Sequence, residues 1–272
     1  MSAQSFAEFE RTGWENTGLV AKYDQHLSTV TSQCIPALLD AAGVSAGSRV
    51  LDVATGPGYV AAAAFQRGAN PIGLDFSDAQ IDFARLRHPS IVFQQGDAEA
   101  LPFESDTFDA VVIAYGVCHF PHPELALKEA YRVLKKGGRI AFSMWDVPER
   151  AIGLGAVFAA IQTHGSMSVG LPVGPNFFLF SDPAYSQQAL RDAGFDATEV
   201  HPAPQTLKLA DPDQLFNIIA ESSVRAGAVL SAQNDAQRAA IRAELHKTVS
   251  RYKSGDYYNV PMPAIVVSAA KR

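Results

Sequence analysis

Three aspartates and one glycine-rich turn are the residues of this 272-residue chain whose types and spacing suit the binding of a small ligand. The segment from Gly56 to Ala61 satisfies the pattern G-x-G-x-x-A, in which glycines form a tight turn that lets the backbone approach a nucleotide. Asp52 precedes this turn, and Asp97 comes later in the chain. Asp75 follows Gly56 by about 20 residues, where a ribose-binding carboxylate belongs in this pattern.

The charges around the turn indicate which nucleotide it suits. Asp52 would repel a phosphate, and Pro57 removes one of the backbone N–H donors that a phosphate cradle would use. Asp97 adds another carboxylate. An acid-rimmed crevice of this kind favours a cofactor that carries positive charge and no phosphate. A nicotinamide dinucleotide stays open as an alternative, because the G-x-G-x-x-A pattern alone would also fit it.

The elements around these residues follow a strand–helix alternation. Short apolar strands are predicted at 50–53, 71–74, 91–93, 108–116 and 139–144, with helices at 59–66, 77–87 and 123–134 between them. This alternation predicts a parallel sheet covered on both faces by helices. Ligands of such sheets bind at the carboxyl ends of the strands, near the switch in strand order.

The alternation stops after Trp145. We therefore expect one domain with additions to its core. Its predicted parts are a helical lid at 1–45, a cofactor-binding core at 46–147, two helical cap inserts at 148–180 and 211–258, and a last strand within 259–272.

Composition limits the classes of partner. The chain is 47% hydrophobic with a formal net charge of −6, which excludes disorder for its bulk and disfavours nucleic acid as a partner. No apolar stretch approaches the ~20 residues that a membrane-spanning helix needs. Cys34 and Cys118 are far apart and fit neither a disulfide framework nor a zinc pattern. We expect a cytoplasmic protein, without a metal, whose partner is a small molecule rather than a membrane; a monomer and a homodimer are both open.

Five blocks of sequence between residues 50 and 139 resemble one family. They are Val50–Gly58, Gly73–Ser77, Gly96–Phe103, Phe108–Val112 and Arg132–Arg139. In order and spacing they are similar to the class I S-adenosylmethionine-dependent methyltransferases, in particular the small-molecule group of the ubiquinone/menaquinone-biosynthesis type. The resemblance implies an α/β fold with a doubly wound, mostly parallel, seven-stranded Rossmann-like sheet, and S-adenosylmethionine as the cofactor. It covers residues 50–145, and the two ends match only loosely.

The resemblance also implies a set of cofactor contacts. The turn would pack against the methionine part, Asp75 would bind the ribose hydroxyls, and Asp97 with its neighbour would read the adenine edge. Ala54 departs from the family, which more often has glycine there. The implied contacts are Tyr23, Asp52, Ala54, Gly56, Gly58, Asp75, Phe76, Asp97, Ala98, Ala114 and Tyr115.

Catalysis and acceptor binding are less specified by the sequence. Methyl transfer needs the acceptor held in line, and a general base only if the acceptor loses a proton. His119, just past the fourth strand, is the candidate base, with packing beneath the cofactor as the alternative. Candidate acceptor contacts, each of which could instead be ordinary packing, are Trp14, His164, Phe177, Phe178 and Tyr257. The function that the resemblance implies is transfer of the methyl group to a small, partly apolar organic acceptor in a capped site, with oxygen, nitrogen and carbon all open as the acceptor atom. A protein that binds S-adenosylmethionine in a non-methylating or regulatory role is the alternative function.

Overall fold

The computed structural model describes residues 4–272, and these form two compact units that are each discontinuous in sequence. The sheet unit comprises Thr31–Trp145, Gly174–Ala203 and Ala264–Arg272. The accessory unit comprises the chain up to Val30, Asp146–Val173 and Pro204–Pro263. Much of the predicted lid and cap inserts falls in the accessory unit, and the single-domain organisation stays a prediction.

The strands and helices of both units are numbered along the chain. The strands are β1 Arg49–Val53, β2 Asn70–Asp75, β3 Val92–Gln95, β4 Phe108–Ala114, β5 Leu134–Trp145, β6 Asp196–Ala203, β7 Thr206–Leu209, β8 Lys253–Ser254, β9 Tyr257–Pro261 and β10 Ala264–Ala270. The helices are α1 Phe6–Trp14, α2 Thr17–Gln25, α3 Ser28–Thr31, α4 Ile35–Ala41, α5 Tyr59–Gln66, α6 Asp78–Arg87, α7 Pro123–Val133, α8 Ile152–His164, α9 Pro183–Asp192, α10 Gln214–Ser222, α11 Val224–Ser231 and α12 Asp235–Ser250.

The sheet unit contains the predicted seven-stranded sheet, with the strand order β3-β2-β1-β4-β5-β10-β6. The strands from β3 to β5 pair in parallel, and β10 runs antiparallel to both of its neighbours. The prediction of an α/β, mostly parallel, seven-stranded sheet is therefore confirmed. Strand order reverses at β1, which lies between β2 and β4, and the carboxyl ends of these strands form the switch point where such sheets bind ligands.

The central strands are apolar because helices cover both of their faces. Four of the five residues of β1 are buried, and in β4 Val111, Val112 and Ile113 are almost fully buried. Helix α6 begins at the predicted cap, because Ser77 accepts a hydrogen bond from the Gln80 N–H. The apolar runs thus fix the strands, and the turns between them carry the polar residues.

The accessory unit contains a feature that the sequence pattern did not predict. Beside helices α1, α2, α8 and α10–α12 it holds a three-stranded antiparallel sheet in the order β7-β9-β8. The segment predicted as the helical cap at 211–258 does contain three helices, but it also includes β8 and the start of β9. Across residues 4–272, no helix combines the length and apolar character needed to cross a bilayer.

Candidate functional site

The glycine-rich turn lies at the carboxyl end of β1 and leads into α5. Ala54, Gly56 and Gly58 all have left-handed backbone conformations, with φ of 54°, 51° and 83°. A side chain at Gly58 would also clash, because a Cβ there would lie 2.7 Å from the Phe93 ring. Its N–H donates to the Thr55 carbonyl at 2.9 Å and closes the turn. Ala54 is the non-glycine member, which costs roughly 1 kcal/mol in this conformation.

Asp52 is the most deeply buried carboxyl group of the site, with no exposed surface. Its Oδ2 accepts hydrogen bonds from the Thr55 hydroxyl at 2.6 Å and the Ala61 N–H at 3.0 Å. Its Oδ1 is buried and, within the described part of the chain, has no hydrogen-bond partner. Burial raises the pKa of Asp52 to about 7, and the negative charge of Asp75 adds to this rise.

Asp75 ends β2 and joins the glycine-rich turn to the next loop. Its Oδ2 accepts from the Gly56 N–H at 2.9 Å, and its Oδ1 accepts from the Ser77 N–H at 3.0 Å. Burial raises the pKa of Asp75 to about 6, while its backbone hydrogen bonds and the charge of His119 act in the opposite direction. Asp52 and Asp75 are therefore two interacting buried carboxyl groups at neighbouring strand ends.

The other predicted cofactor contacts of the sheet unit lie at adjacent strand ends. Phe76 directly follows Asp75, and the exposed Asp97 and buried Ala98 follow β3. Ala114 is the last residue of β4. Tyr115, the next residue, has a left-handed φ of 55°, and its ring centre lies 4.5 Å from that of Trp145.

His119 and two phenylalanines form an aromatic group in the same unit. His119 ends a 3-10 turn at Val117–His119, just beyond β4. Its ring centre lies 6.4 Å from that of Phe177 at an interplanar angle of 73°, and the ring centres of Phe177 and Phe178 are 5.1 Å apart. The charge of His119 also acts to lower the pKa of Asp75.

The remaining four predicted residues lie in the accessory unit. Trp14 and Tyr23 are in contact, with ring centres 5.7 Å apart, and the Trp14 Nε1–H donates to Glu10 Oε2 at 3.1 Å. His164 is the last residue of α8. Tyr257 begins β9, and the Lys208 ammonium lies 3.6 Å from its ring centre. Their roles toward a cofactor or an acceptor stay predictions.

Two residues near the turn were not expected from the sequence. Thr55 donates to Asp52, and the only signal for it is its place three residues after that aspartate. Gln80, on the first turn of α6, has a buried Oε1 that lacks a partner among residues 4–272, and this atom would lie 3.9 Å from a Cβ on Gly56. Its spacing from the turn in sequence gives no hint of this proximity.

The donor set of the turn fits a cationic nucleoside better than a pyrophosphate. The Gly56 N–H is donated to Asp75 and the Gly58 N–H to Thr55, so these amides are not free to cradle a phosphate. A cation beside Asp52 and Asp75 would instead favour their ionised forms. Nowhere in the described range do three His, Cys, Asp or Glu side chains meet as a metal-binding group. The strand order and the left-handed turn after β1 are the arrangement that the resemblance to the class I methyltransferases implies.

Comparison with known proteins agrees with this class. Residues 51–142 match the family model described as "Methyltransferase domain". A demethylmenaquinone methyltransferase of Renibacterium salmoninarum is 40% identical over 111 residues, which are 41% of this chain and 47% of that protein. The ubiquinone/menaquinone biosynthesis C-methyltransferase UbiE of Agrobacterium fabrum is 38% identical over 136 residues, covering 45% of this chain and 52% of that protein.

A solved structure extends the likeness in fold to nearly the whole chain. The phosphoethanolamine N-methyltransferase 2 of Haemonchus contortus, solved with S-adenosylhomocysteine, has a TM-score of 0.59 and 18% identity, covering 99% of this chain and 60% of that one. The chain spans about half the length of the curated relatives it matches. Residues 51–142 match a methyltransferase domain and the relatives that match the core are of the ubiquinone/menaquinone-biosynthesis type, which confirms the predicted resemblance to the class I S-adenosylmethionine-dependent methyltransferases.

Proposed function

We propose that this protein transfers a methyl group from S-adenosylmethionine to a small, partly apolar acceptor of the quinol type. The assignment of S-adenosylmethionine as the cofactor rests on Asp52 and Asp75, which lie at the carboxyl ends of β1 and β2. Both are buried, and Oδ1 of Asp52 lacks a partner within residues 4–272. A ligand with an ammonium and a sulfonium would offset the cost of burying these charges.

Different residues of the sheet unit would bind different parts of the cofactor. The turn from Ala54 to Gly58 would hold its methionine part, and Asp75 would accept from the ribose hydroxyls. Phe76 would pack against the adenine, and Asp97 with Ala98 would bind the adenine edge. When bound, the cofactor supplies a methyl group on a positively charged sulfur, a carbon already activated for displacement.

The protein's share of the chemistry is positioning and proton removal. Much of the rate of an in-line displacement comes from holding the acceptor close, aligned and shielded from water. An acceptor that gains a methyl group on carbon or oxygen must also lose a proton. We propose that a ring nitrogen of His119 accepts this proton, because His119 lies beside the aromatic residue Phe177 and near the acidic site.

The acceptor class rests on two supports. The relatives that match residues of the core are named for demethylmenaquinone and ubiquinone/menaquinone biosynthesis. In this chain, Phe177 and Phe178 offer aromatic surface beside His119, which suits a planar ring acceptor. A naphthoquinol that lacks its ring methyl is the acceptor to test first.

Calorimetric titration tests the cofactor half. We expect S-adenosylmethionine and S-adenosylhomocysteine to bind the wild-type protein with micromolar affinity, and Asp75→Ala to lose binding of both. Asp40→Ala, which removes an exposed carboxylate paired with Arg67, is the matched control and should bind normally. Absence of binding to the wild type would overturn the proposal.

Transfer of a labelled methyl group tests the acceptor half. With the naphthoquinol that lacks its ring methyl as acceptor, we expect the wild-type protein to transfer label to the quinol fraction. Asp75→Ala should transfer none. The same quinol already methylated on its ring serves as the control acceptor. Tight cofactor binding without transfer to any quinol would instead favour a regulatory or non-methylating role.

A further inference from the structure

The loop that follows β3 receives hydrogen bonds from one neighbouring helix. This loop, residues 97–103, contains Asp97 and Ala98. Its own hydrogen bonds are short-range: the Glu99 N–H donates to Asp97 Oδ1 at 2.8 Å, and the Ala100 N–H donates to the Asp97 carbonyl at 3.2 Å. Such local bonds shape a loop but do not fix its position on the sheet.

Helix α7 supplies the external bonds at both of its ends. Just before its first residue, the His122 N–H donates to Glu99 Oε1 at 2.6 Å. In its last turns, Glu129 Oε2 accepts from the Leu101 N–H at 2.8 Å. Arg132 donates to the Leu101 carbonyl at 2.9 Å and to the Phe103 carbonyl at 2.7 Å. One helix therefore holds alternate residues of the loop.

Glu129 and Arg132 are themselves a matched pair. Arg132 Nε lies 2.7 Å from Glu129 Oε1, and Arg132 Nη2 lies 2.7 Å from Glu129 Oε2. Hydrogen bonds from Arg132 lower the pKa of Glu129, while its burial acts in the opposite direction. The side chain of Arg132 is 35% exposed and that of Glu129 is 21% exposed, so the pair is partly shielded from water. A two-pronged pair of this geometry fixes both groups in one orientation.

A loop that is fixed before its ligand arrives loses less conformational freedom on binding. We propose that Glu129 and Arg132 are positioning residues for the cofactor, which act through residues 97–103 to set Asp97 and Ala98 for recognition of the adenine edge. This inference rests on the proposed function, because it assigns the loop to adenine. It adds two residues that the sequence did not point to.

The inference predicts a change in selectivity rather than a general loss of affinity. A carboxylate such as Asp97 accepts a hydrogen bond from the adenine amino group but faces repulsion from the carbonyl that replaces this group in hypoxanthine. S-Inosylhomocysteine should therefore bind wild type about tenfold more weakly than S-adenosylhomocysteine. If the loop is no longer held in place, this ratio should shrink.

The experiment compares both ligands by calorimetry on wild type, Arg132→Lys and Glu129→Gln. Lysine cannot donate to a carboxylate and two carbonyls with a planar fork. Glutamine keeps an oxygen for the Leu101 N–H but loses the charge, so it provides a milder variant should Arg132→Lys unfold. We expect S-adenosylhomocysteine affinity to fall about tenfold, with a smaller fall for the inosine analogue.

Arg67→Lys is the matched control. Arg67 also bonds a carboxylate, Asp40 Oδ1 at 2.6 Å, and a carbonyl, that of Pro36 at 3.1 Å. It follows the last residue of α5, at the opposite end of that helix from the glycine-rich turn, and its substitution should leave the ratio of the two affinities unchanged.

Each outcome has one meaning. A selectivity ratio that shrinks in both variants but not in Arg67→Lys supports the inference. Equal losses for both ligands, unchanged affinities, or a wild type that binds the two ligands equally well would overturn it while leaving the proposed function intact. A wild type that binds neither ligand would instead overturn the proposed function.

Discussion

The Cβ of Ala54 lies beside Gly116, so closely that a Cβ added to Gly116 would lie 2.7 Å from it. Ala54 follows β1 and Gly116 follows β4, the two strands that meet at the switch point. Gly116 has an ordinary right-handed φ of −82°, so its conformation does not require glycine. Glycine is required at position 116 because the Cβ of Ala54 occupies the space that a side chain there would need.

Substitution of Gly116 by alanine should therefore reveal this contact. We expect Gly116→Ala to lower the free energy of unfolding by about 2 kcal/mol, the usual cost of overpacking. Ala54→Gly in the same chain should recover much of the loss, because it removes the opposing Cβ and relieves the left-handed alanine. Urea unfolding of the two single variants and the double variant measures the coupling, expected at about 1 kcal/mol. Additive effects would mean that Gly116 is constrained by Ile113 instead, whose Cγ2 would lie 3.0 Å away.

Asp52 should make stability depend on pH in the direction opposite to an ordinary ion-paired aspartate. Its pKa is raised to about 7 by burial, so the folded state keeps a proton that the unfolded state has lost above pH ~4. Stability conferred by this proton is complete at low pH and is lost as pH rises through about 7. The melting temperature of wild type relative to Asp52→Asn should therefore fall between pH 5 and pH 8.

Asp109 offers a control of opposite sign. Its partial burial acts to raise its pKa, but hydrogen bonds from the Lys135 ammonium and the Arg49 N–H outweigh this effect and lower the pKa. The stability that Asp109 contributes is present above the pKa of an unfolded aspartate and is lost as pH falls, so wild type relative to Asp109→Asn should lose stability only at acidic pH. A flat difference for Asp52→Asn over the whole range would contradict the raised pKa.

The central sheet could be predicted because the sequence signals that indicate its strands and turns are local. Apolar runs predict the strands of the core, and the left-handed positions at Gly56 and Gly58 correspond to glycines in the pattern. The same local signals point to Asp52 and Asp75, which stand at strand ends. These features need no knowledge of distant contacts.

Features that depend on distant contacts were not predicted. In β7 only Leu207 and Leu209 alternate with exposed residues, and four residues are too few to distinguish a strand from a loop. The pair Glu129 and Arg132 has a spacing common on any exposed helix face. Its bonds to Leu101 and Phe103 span about thirty residues of sequence, which the spacing cannot indicate.

Cofactor binding should release protons. A cation that enters beside Asp52 and Asp75 favours their ionised forms, so binding near pH 6.5 should release part of the protons that these two carboxyl groups carry. Calorimetry in buffers with different ionisation enthalpies should report a net release of a fraction of one proton, and affinity should increase from pH 6 to pH 8. Asp52→Asn should reduce the release, while Asp109→Asn should not. Equal heats in all buffers would contradict the linkage.

His119 should affect the reaction and Asp75 separately, and two measurements distinguish these effects. If His119 is the proton acceptor, His119→Ala should reduce kcat by about 100-fold. Its charge also lowers the pKa of Asp75, so the variant should bind S-adenosylhomocysteine more weakly at pH 6 and normally at pH 8, where Asp75 is ionised without help. Phe177→Leu, which removes only the ring beside His119, should raise KM for the acceptor with a smaller effect on kcat. If His119→Ala keeps its turnover yet shows the binding defect at pH 6, the histidine supports Asp75 and is not the base.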